Sequence, residues 1–130
     1  MKQLLTIICL VLLSSYSYSE NLPPDGPYET FHENGQLEER ITFKDGKQSG
    51  VWEVYDTNGQ LKGRGTFKDG KKSGVWEYFY KRGPLEMKGN YKDGKEDGVW
   101  EYFKESSRRK DTQYFINGKQ VTRKKYLKKK

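Results

Sequence analysis

Gly50-Val51-Trp52-Glu53 returns as Gly74-Val75-Trp76-Glu77 and again as Gly98-Val99-Trp100-Glu101, in steps of 24 residues. An earlier copy begins Gly26-Pro27-Tyr28-Glu29, with tyrosine in place of tryptophan. An aromatic follows three positions later in each copy, at Phe31, Tyr55, Phe79 and Phe103. A second falls at Phe43, Phe67, Tyr91 and Phe115. Lys-Asp-Gly-Lys closes the first three copies at 44–47, 68–71 and 92–95, and Ile116-Asn117-Gly118-Lys119 closes the fourth. A fixed period of this length means one supersecondary unit per repeat, each burying its apolar side against its neighbours.

Two turn signals divide each unit. Asn34-Gly35 and Asn58-Gly59 predict two-residue type I′ turns, in which both central residues take positive φ. Asp45-Gly46, Asp69-Gly70 and Asp93-Gly94 mark the second turn. The runs between them are about six to eight residues, an ordinary strand length. The expected fold is therefore all-β, an antiparallel meander of tandem hairpins with about eight strands.

The hairpin register follows from the turn. With Asn58-Gly59 at the tip, Thr57 pairs with Gln60, Trp52 faces Gly65, Val54 faces Gly63 and Glu53 faces Arg64. The same count sets Trp76 against Gly89, Glu77 against Lys88 and Glu29 against Arg40. A slip of one residue would lose both the charge matches and the ring-on-glycine matches. Trp52, Trp76 and Trp100 with Gly63, Gly65 and Gly89 thus form the expected framework, and Gly63 is expected to meet Trp76 across the second turn. Glycine within a strand leaves room for a ring to lie over it. Each buried ring is worth roughly 2–3 kcal/mol, each exposed ion pair only about 0.2–1 kcal/mol.

Phe31, Tyr55, Phe79 and Phe103 have the opposite parity and form a second stripe. Two readings stand: long Lys and Arg stems and sheet curvature cover it, or it docks a protein partner. The fourth repeat departs from the pattern. Ser106-Ser107 replaces the turn glycine, Arg109 stands where Leu37, Leu61 and Leu85 stand, and Thr112 replaces the basic partner of Glu101. A polar last repeat reads as a cap.

The net charge of +7 is unevenly placed. Residues 20–118 hold 17 Lys and Arg against 18 Asp and Glu, so the repeats are balanced and do not make a nucleic-acid surface. The excess lies in the tail, residues 122–130, which reads either as a plain solubilising terminus or as a tether, with Lys124, Lys125, Lys128, Lys129 and Lys130 as candidates for contact with an anionic membrane or glycan. Mean hydropathy of −1.08 would suit a disordered chain, but three Trp, ten Tyr and six Phe argue for a folded one.

The N-terminus reads as an export signal over residues 1–19. Lys2 precedes an apolar run from Leu4 to Leu13, and Ser17-Tyr18-Ser19 offers the small-residue cleavage pattern. Ten residues fall short of the ~20 that span a bilayer. Export to the periplasm or beyond is expected, followed by a linker at 20–25 and repeats over 26–121. Cys9, the only cysteine, lies inside the run, so the mature chain has no thiol and must be held by packing alone.

Chemistry is not expected. His32, the only histidine, reads as a solvated loop residue, with no second metal-binding side chain near it in sequence. Glu53, Glu77 and Glu101 recur in like environments, whereas acid catalysis needs two carboxyls in unlike ones. Asp45, Asp69 and Asp93 give one carboxylate per turn, far from the six to eight oxygens of a calcium site. The reading is a non-enzymatic chain without metal or cofactor.

Gly-x-Trp-x-x-Tyr/Phe, then Gly-x-Leu, then Tyr/Phe-x-Asp-Gly-Lys resembles the MORN repeat variant of bacterial proteins, and also the group called the YwqK-family antitoxins. The resemblance covers residues 26–121. It implies an elongated, curved or twisted single-layer sheet of hairpins that serves as a binding, scaffolding or dimerising module, with membrane-lipid contact proposed for some members. It places Trp52, Trp76, Trp100, Tyr55, Phe79, Phe103 and the turn glycines as framework positions rather than catalytic ones. The antitoxin label implies a cytoplasmic neutraliser beside its toxin, whereas the export signal points to an envelope protein with a protein partner.

Overall fold

The computed structural model describes residues 23–107 and 109–130. The expected signal at 1–19, with Cys9, lies outside the described residues. Nine strands follow in chain order: β1 (Gly26–Phe31), β2 (Leu37–Lys44), β3 (Lys47–Tyr55), β4 (Leu61–Lys68), β5 (Lys71–Phe79), β6 (Leu85–Lys92), β7 (Lys95–Phe103), β8 (Lys110–Ile116) and β9 (Lys119–Val121). They form one open sheet in the same order, each antiparallel to the next. The hairpin meander is as expected, with β9 added to the eight strands.

The type I′ turns lie at the second turn of each unit and not at the Asn-Gly pairs where they were expected. Both central residues have positive φ at Asp45-Gly46, Asp69-Gly70, Asp93-Gly94 and Asn117-Gly118, so these are the type I′ turns. Asn34 and Asn58 do not have positive φ; only Gly35 and Gly59 do. There the Asp56 amide donates to Gln60 O at 2.9 Å and the Gly59 amide to Asp56 O at 2.9 Å. That pattern is the longer loop that ends in a left-handed glycine and a bulge. Thr57 therefore does not pair with Gln60. The strand beyond compensates, because the register shifts between Val54 and Tyr55.

Above that bulge the expected pairs are present. Trp52 faces Gly65, Glu53 faces Arg64 and Val54 faces Gly63. Trp76 faces Gly89 and Glu77 faces Lys88, and Glu29 faces Arg40. Across the second turn the expectation is one pair out. Gly63 faces Tyr78, not Trp76, and a Cβ added at Gly65 would run into the Trp76 ring. The cause is a bulge: pairing runs in step from Lys68 with Lys71 to Thr66 with Ser73, then shifts between Arg64 and Thr66, where β5 carries Gly74 at positive φ. Gly89 meets the Trp100 ring in the same way.

This stacking makes the core of a single-layer sheet. Trp76 and Trp100 are fully buried, with Ile41 and Phe115, and no polar or charged residue is buried among the described residues. Rings interlock along the sheet. Trp52 stacks on Trp76 at 5.0 Å, and Phe67 and Tyr91 meet Trp76 edge-on at 5.1 and 5.7 Å. Tyr91 then meets Trp100 at 5.2 Å and Phe115 meets it at 6.2 Å. Edge-to-face pairs of this kind each add about 0.5–1.5 kcal/mol beyond burial.

Successive units are also tied through their turns. The Gly70, Gly94 and Gly118 amides donate to Gln48 O, Lys72 O and Glu96 O at 2.8, 3.0 and 2.8 Å. At the other end Asn34 Nδ2 donates to Thr57 O at 2.7 Å. The basic C-terminus, expected as a plain tail, forms helix α1 (Arg123–Lys129), capped by Thr122, whose hydroxyl accepts from the Lys125 amide. Tyr126 packs against Tyr114, its ring tilted and 5.2 Å away, and holds α1 to β8. No helix among the described residues is long and apolar enough to cross a membrane.

Candidate interaction surfaces

Side chains alternate between the two faces of a strand, so the residues beside the tryptophans share the opposite face. Charges alternate there from strand to strand: Glu29 on β1, Arg40 on β2, Glu53 on β3, Arg64 on β4, Glu77 on β5, Lys88 on β6 and Glu101 on β7. Arg40 Nε reaches Glu29 at 2.8 Å and its Nη1 reaches Glu53 at 3.3 Å. Arg64 pairs with Glu77 at 2.6 Å. Thr112 stands opposite Glu101 as expected, yet the ladder is not broken. Lys110, two residues along β8, bonds the same carboxylate, and Lys88 lies 3.3 Å away. The Lys110 hydrogen bond outweighs partial burial and holds the Glu101 carboxyl below its usual range.

Phe31, Tyr55, Phe79 and Phe103 lie on this face as a row. Phe31 is 56% exposed; the other three are half-buried. The Arg64 guanidinium sits 5.8 Å from the centre of the Phe79 ring. Burial, with the Glu53 carboxylate next to it, pushes the Tyr55 phenol up. So the basic stems do cover part of the stripe. A second row, missed in the sequence reading, runs on the far side of the charges. Val51, Val75 and Val99 are 55, 61 and 40% exposed. Alternation with Trp52, Trp76 and Trp100 was the signal that could have found them.

The framework face is the more aromatic. There Lys72 Nζ stands 4.2 Å above the Trp76 ring and 4.9 Å from Tyr91, and donates to the Tyr78 hydroxyl at 3.1 Å. Burial pushes the Tyr78 and Tyr102 phenols up.

The Asp-Gly turns make a third surface. Lys47, Lys71 and Lys95 lay their stems beside Gly70, Gly94 and Gly118 of the next turn, 3.8, 3.6 and 3.5 Å from where a Cβ on each glycine would lie. At the β9 end this row meets α1. Lys92, Asp97, Tyr126, Lys129 and Lys130 line one cleft, and Lys95, Lys119, Lys125 and Lys129 line its neighbour. Of the expected tail lysines, Lys125, Lys129 and Lys130 are thus brought to the turn lysines. Lys124 and Lys128 are exposed on the same helix and line neither of these clefts.

His32 is not the solvated loop residue expected. Its side chain is 17% exposed, and its Nε2 lies 3.0 Å from Tyr55 O. Tyr80 holds the same position two repeats on and donates from its hydroxyl to Phe103 O at 2.8 Å. Both residues therefore tie one repeat to the next. Among the described residues no three His, Cys, Asp or Glu side chains gather in a way that could hold a metal ion.

The family model of the MORN repeat variant matches residues 24–45, 48–69 and 72–93, half of the chain. The chain belongs to that family. Each match spans one MORN hairpin, β1–β2, β3–β4 and β5–β6. The fourth hairpin, β7–β8, keeps the register of Gly98 with Phe115 on a more divergent sequence but lacks the bulge that the other three carry near the loop. No curated protein matches the chain. MORN repeats are a repeat class of proteins rather than a known enzyme family.

Proposed function

We propose that this MORN repeat protein is an exported, non-enzymatic interaction scaffold that binds a protein partner through the face opposite its tryptophans. One observation carries the reading: the same apolar–charged–apolar strip returns in each repeat, with Val51, Val75 and Val99 exposed along one side. Two strands separate successive copies, a pitch of about 10 Å. Such a row, rimmed by ion pairs, has the make-up of a docking surface. The leader over residues 1–19 supports export.

The test compares capture of envelope proteins by the wild type and by a variant with Val51→Ser, Val75→Ser and Val99→Ser. A partner retained by the first and lost by the second, at equal thermal stability, is the expected result. Equal retention overturns the face assignment. An antitoxin-type role would show instead as relief of a neighbouring toxin on co-expression.

The lysine clefts at α1 favour a second reading, a tether to an anionic membrane or glycan. Each lysine near an anionic membrane contributes roughly 1 kcal/mol. Deleting Lys124 to Lys130 should then abolish binding to anionic vesicles, and unchanged binding refutes it.

A further inference from the structure

Interior strands of this sheet satisfy their neighbours on both sides, and β1 satisfies only one. Glu53 faces Arg40 and Arg64, and Glu77 faces Arg64 and Lys88. Glu29 faces Arg40 alone. Trp76 faces Gly89 on one side, and its ring lies over Gly65 on the other. Tyr28, at the same position of the first repeat, faces Ile41 and is 51% exposed. Among the described residues nothing pairs with the outer side of β1. The opposite edge is blunt: β9 has three residues and leads straight into α1. Open strand edges accept further strands through unpaired backbone groups.

We propose that the outer edge of β1 accepts an antiparallel strand from another protein, carrying Arg or Lys opposite Glu29 and glycine next to it, against Tyr28. The template is the sheet's own. Arg64-Gly65 on β4 and Lys88-Gly89 on β6 are the neighbours that Glu77 with Trp76, and Glu101 with Trp100, already have. Addition of a strand to a sheet edge draws affinity from the backbone and selectivity from alternate side chains.

Other occupants fit less well. In a second copy the matching strands β4 and β6 are each paired on both sides, and two β1 edges meeting in register would set Glu29 against Glu29. Residues 1–22 of this chain contain one cation, Lys2, and no glycine, so they cannot supply the pair. Pro27 has no N–H to give, which confines the usable edge to Tyr28–Phe31 and calls for a short strand.

The experiment uses the full chain and a synthetic peptide copying residues 61–68. Hydrogen exchange is followed at the β1 amides. The peptide should slow exchange across residues 28–31 at least tenfold, and a peptide copy with Arg64→Glu should not. Glu29→Arg in the protein should reverse that preference. Three results overturn the proposal: no change at β1, equal effects of both peptides on both proteins, or β1 amides already as protected as those of β3 in the free chain. The last would mean the chain fills its own edge. The valine variants leave this edge intact, so failure here and failure of the scaffold reading are separable.

Discussion

The Trp76 indole lies over Gly65 on the strand before its own, so that a single added carbon at Gly65 would enter the ring. Thr66, the next residue, is exposed on the other face. Gly65→Val should therefore cost about 3 kcal/mol or more, by overpacking and displacement of a buried ring. Thr66→Val should stay within about 0.5 kcal/mol, as exposed substitutions usually do. Equal urea midpoints for the two variants would overturn this packing. The same logic puts Gly89→Val, beneath Trp100, with Gly65→Val.

The repeat made most of this legible before any coordinates. Glu–Arg and Trp–Gly matches fixed one hairpin register, because two independent patterns had to agree. Three things were hidden for physical reasons. Asn-Gly suits both a two-residue turn and a left-handed glycine after a longer one, and only the bulge at Tyr55 distinguishes them. The partner of Trp76 depends on a bulge between Arg64 and Thr66, beyond the second turn, which puts Gly65 rather than Gly63 beneath the ring. The lysine clefts join Lys92, Lys95 and Lys119 to Lys125, Lys129 and Lys130 through a helix that hydrophobic periodicity does not signal. The exposed valines were readable and simply stood beside a louder tryptophan.

The two turn types respond differently to alanine. Asp69 holds φ of 50° between strands, a conformation that costs a side-chain-bearing residue about 1–2 kcal/mol and that Asp tolerates best after Gly and Asn. Asp69→Ala should destabilise by roughly 1 kcal/mol, and Asp69→Asn by almost nothing. Asn58→Ala should be nearly neutral, since Asn58 lacks positive φ. Thermal melts of the three variants check the order. A larger loss for Asn58→Ala than for Asp69→Ala would restore the type I′ turn to the other end.

Glu101 gives the acid dependence its sign. The Lys110 hydrogen bond leads the causes that hold its carboxyl below the ordinary 4.5, against some desolvation. A carboxyl lowered in the folded state adds stability that is present above its unfolded pKa. That stability is lost as pH falls through the folded value. Lys110→Met should move the Glu101 midpoint back up in a carbon-detected NMR titration, and should flatten the loss of stability below pH 4.5. An unmoved midpoint would mean Lys88 alone sets it.

Lys72 caps the aromatic face instead of extending into water. Its ammonium stands 4.2 Å over Trp76 and donates to Tyr78. A cation over such a buried ring contributes about 0.5–2 kcal/mol. Lys72→Met should lose that amount, whereas Lys71→Met, exposed one residue earlier, should be silent. Tryptophan emission should change with the first variant only. Identical melts would show that the stem, not the charge, does the covering.

Helix α1 depends on one ring. Seven residues are too few for a stable isolated helix, and Arg123, Lys124 and Lys125 put positive charge at the helix N-terminus, where the backbone dipole disfavours it. What opposes this is the Thr122 cap and the Tyr126–Tyr114 ring contact at 5.2 Å. Tyr126→Ala should shift the Cα resonances of residues 123–129 to coil values and leave those of β1 to β7 in place. Persisting helical shifts would mean that the cap alone suffices. Because the variant keeps every lysine, its vesicle binding also separates the two ways α1 could act. Binding that survives unfolding of α1 comes from charge alone, and binding that is lost requires the lysines to be held beside Lys92, Lys95 and Lys119.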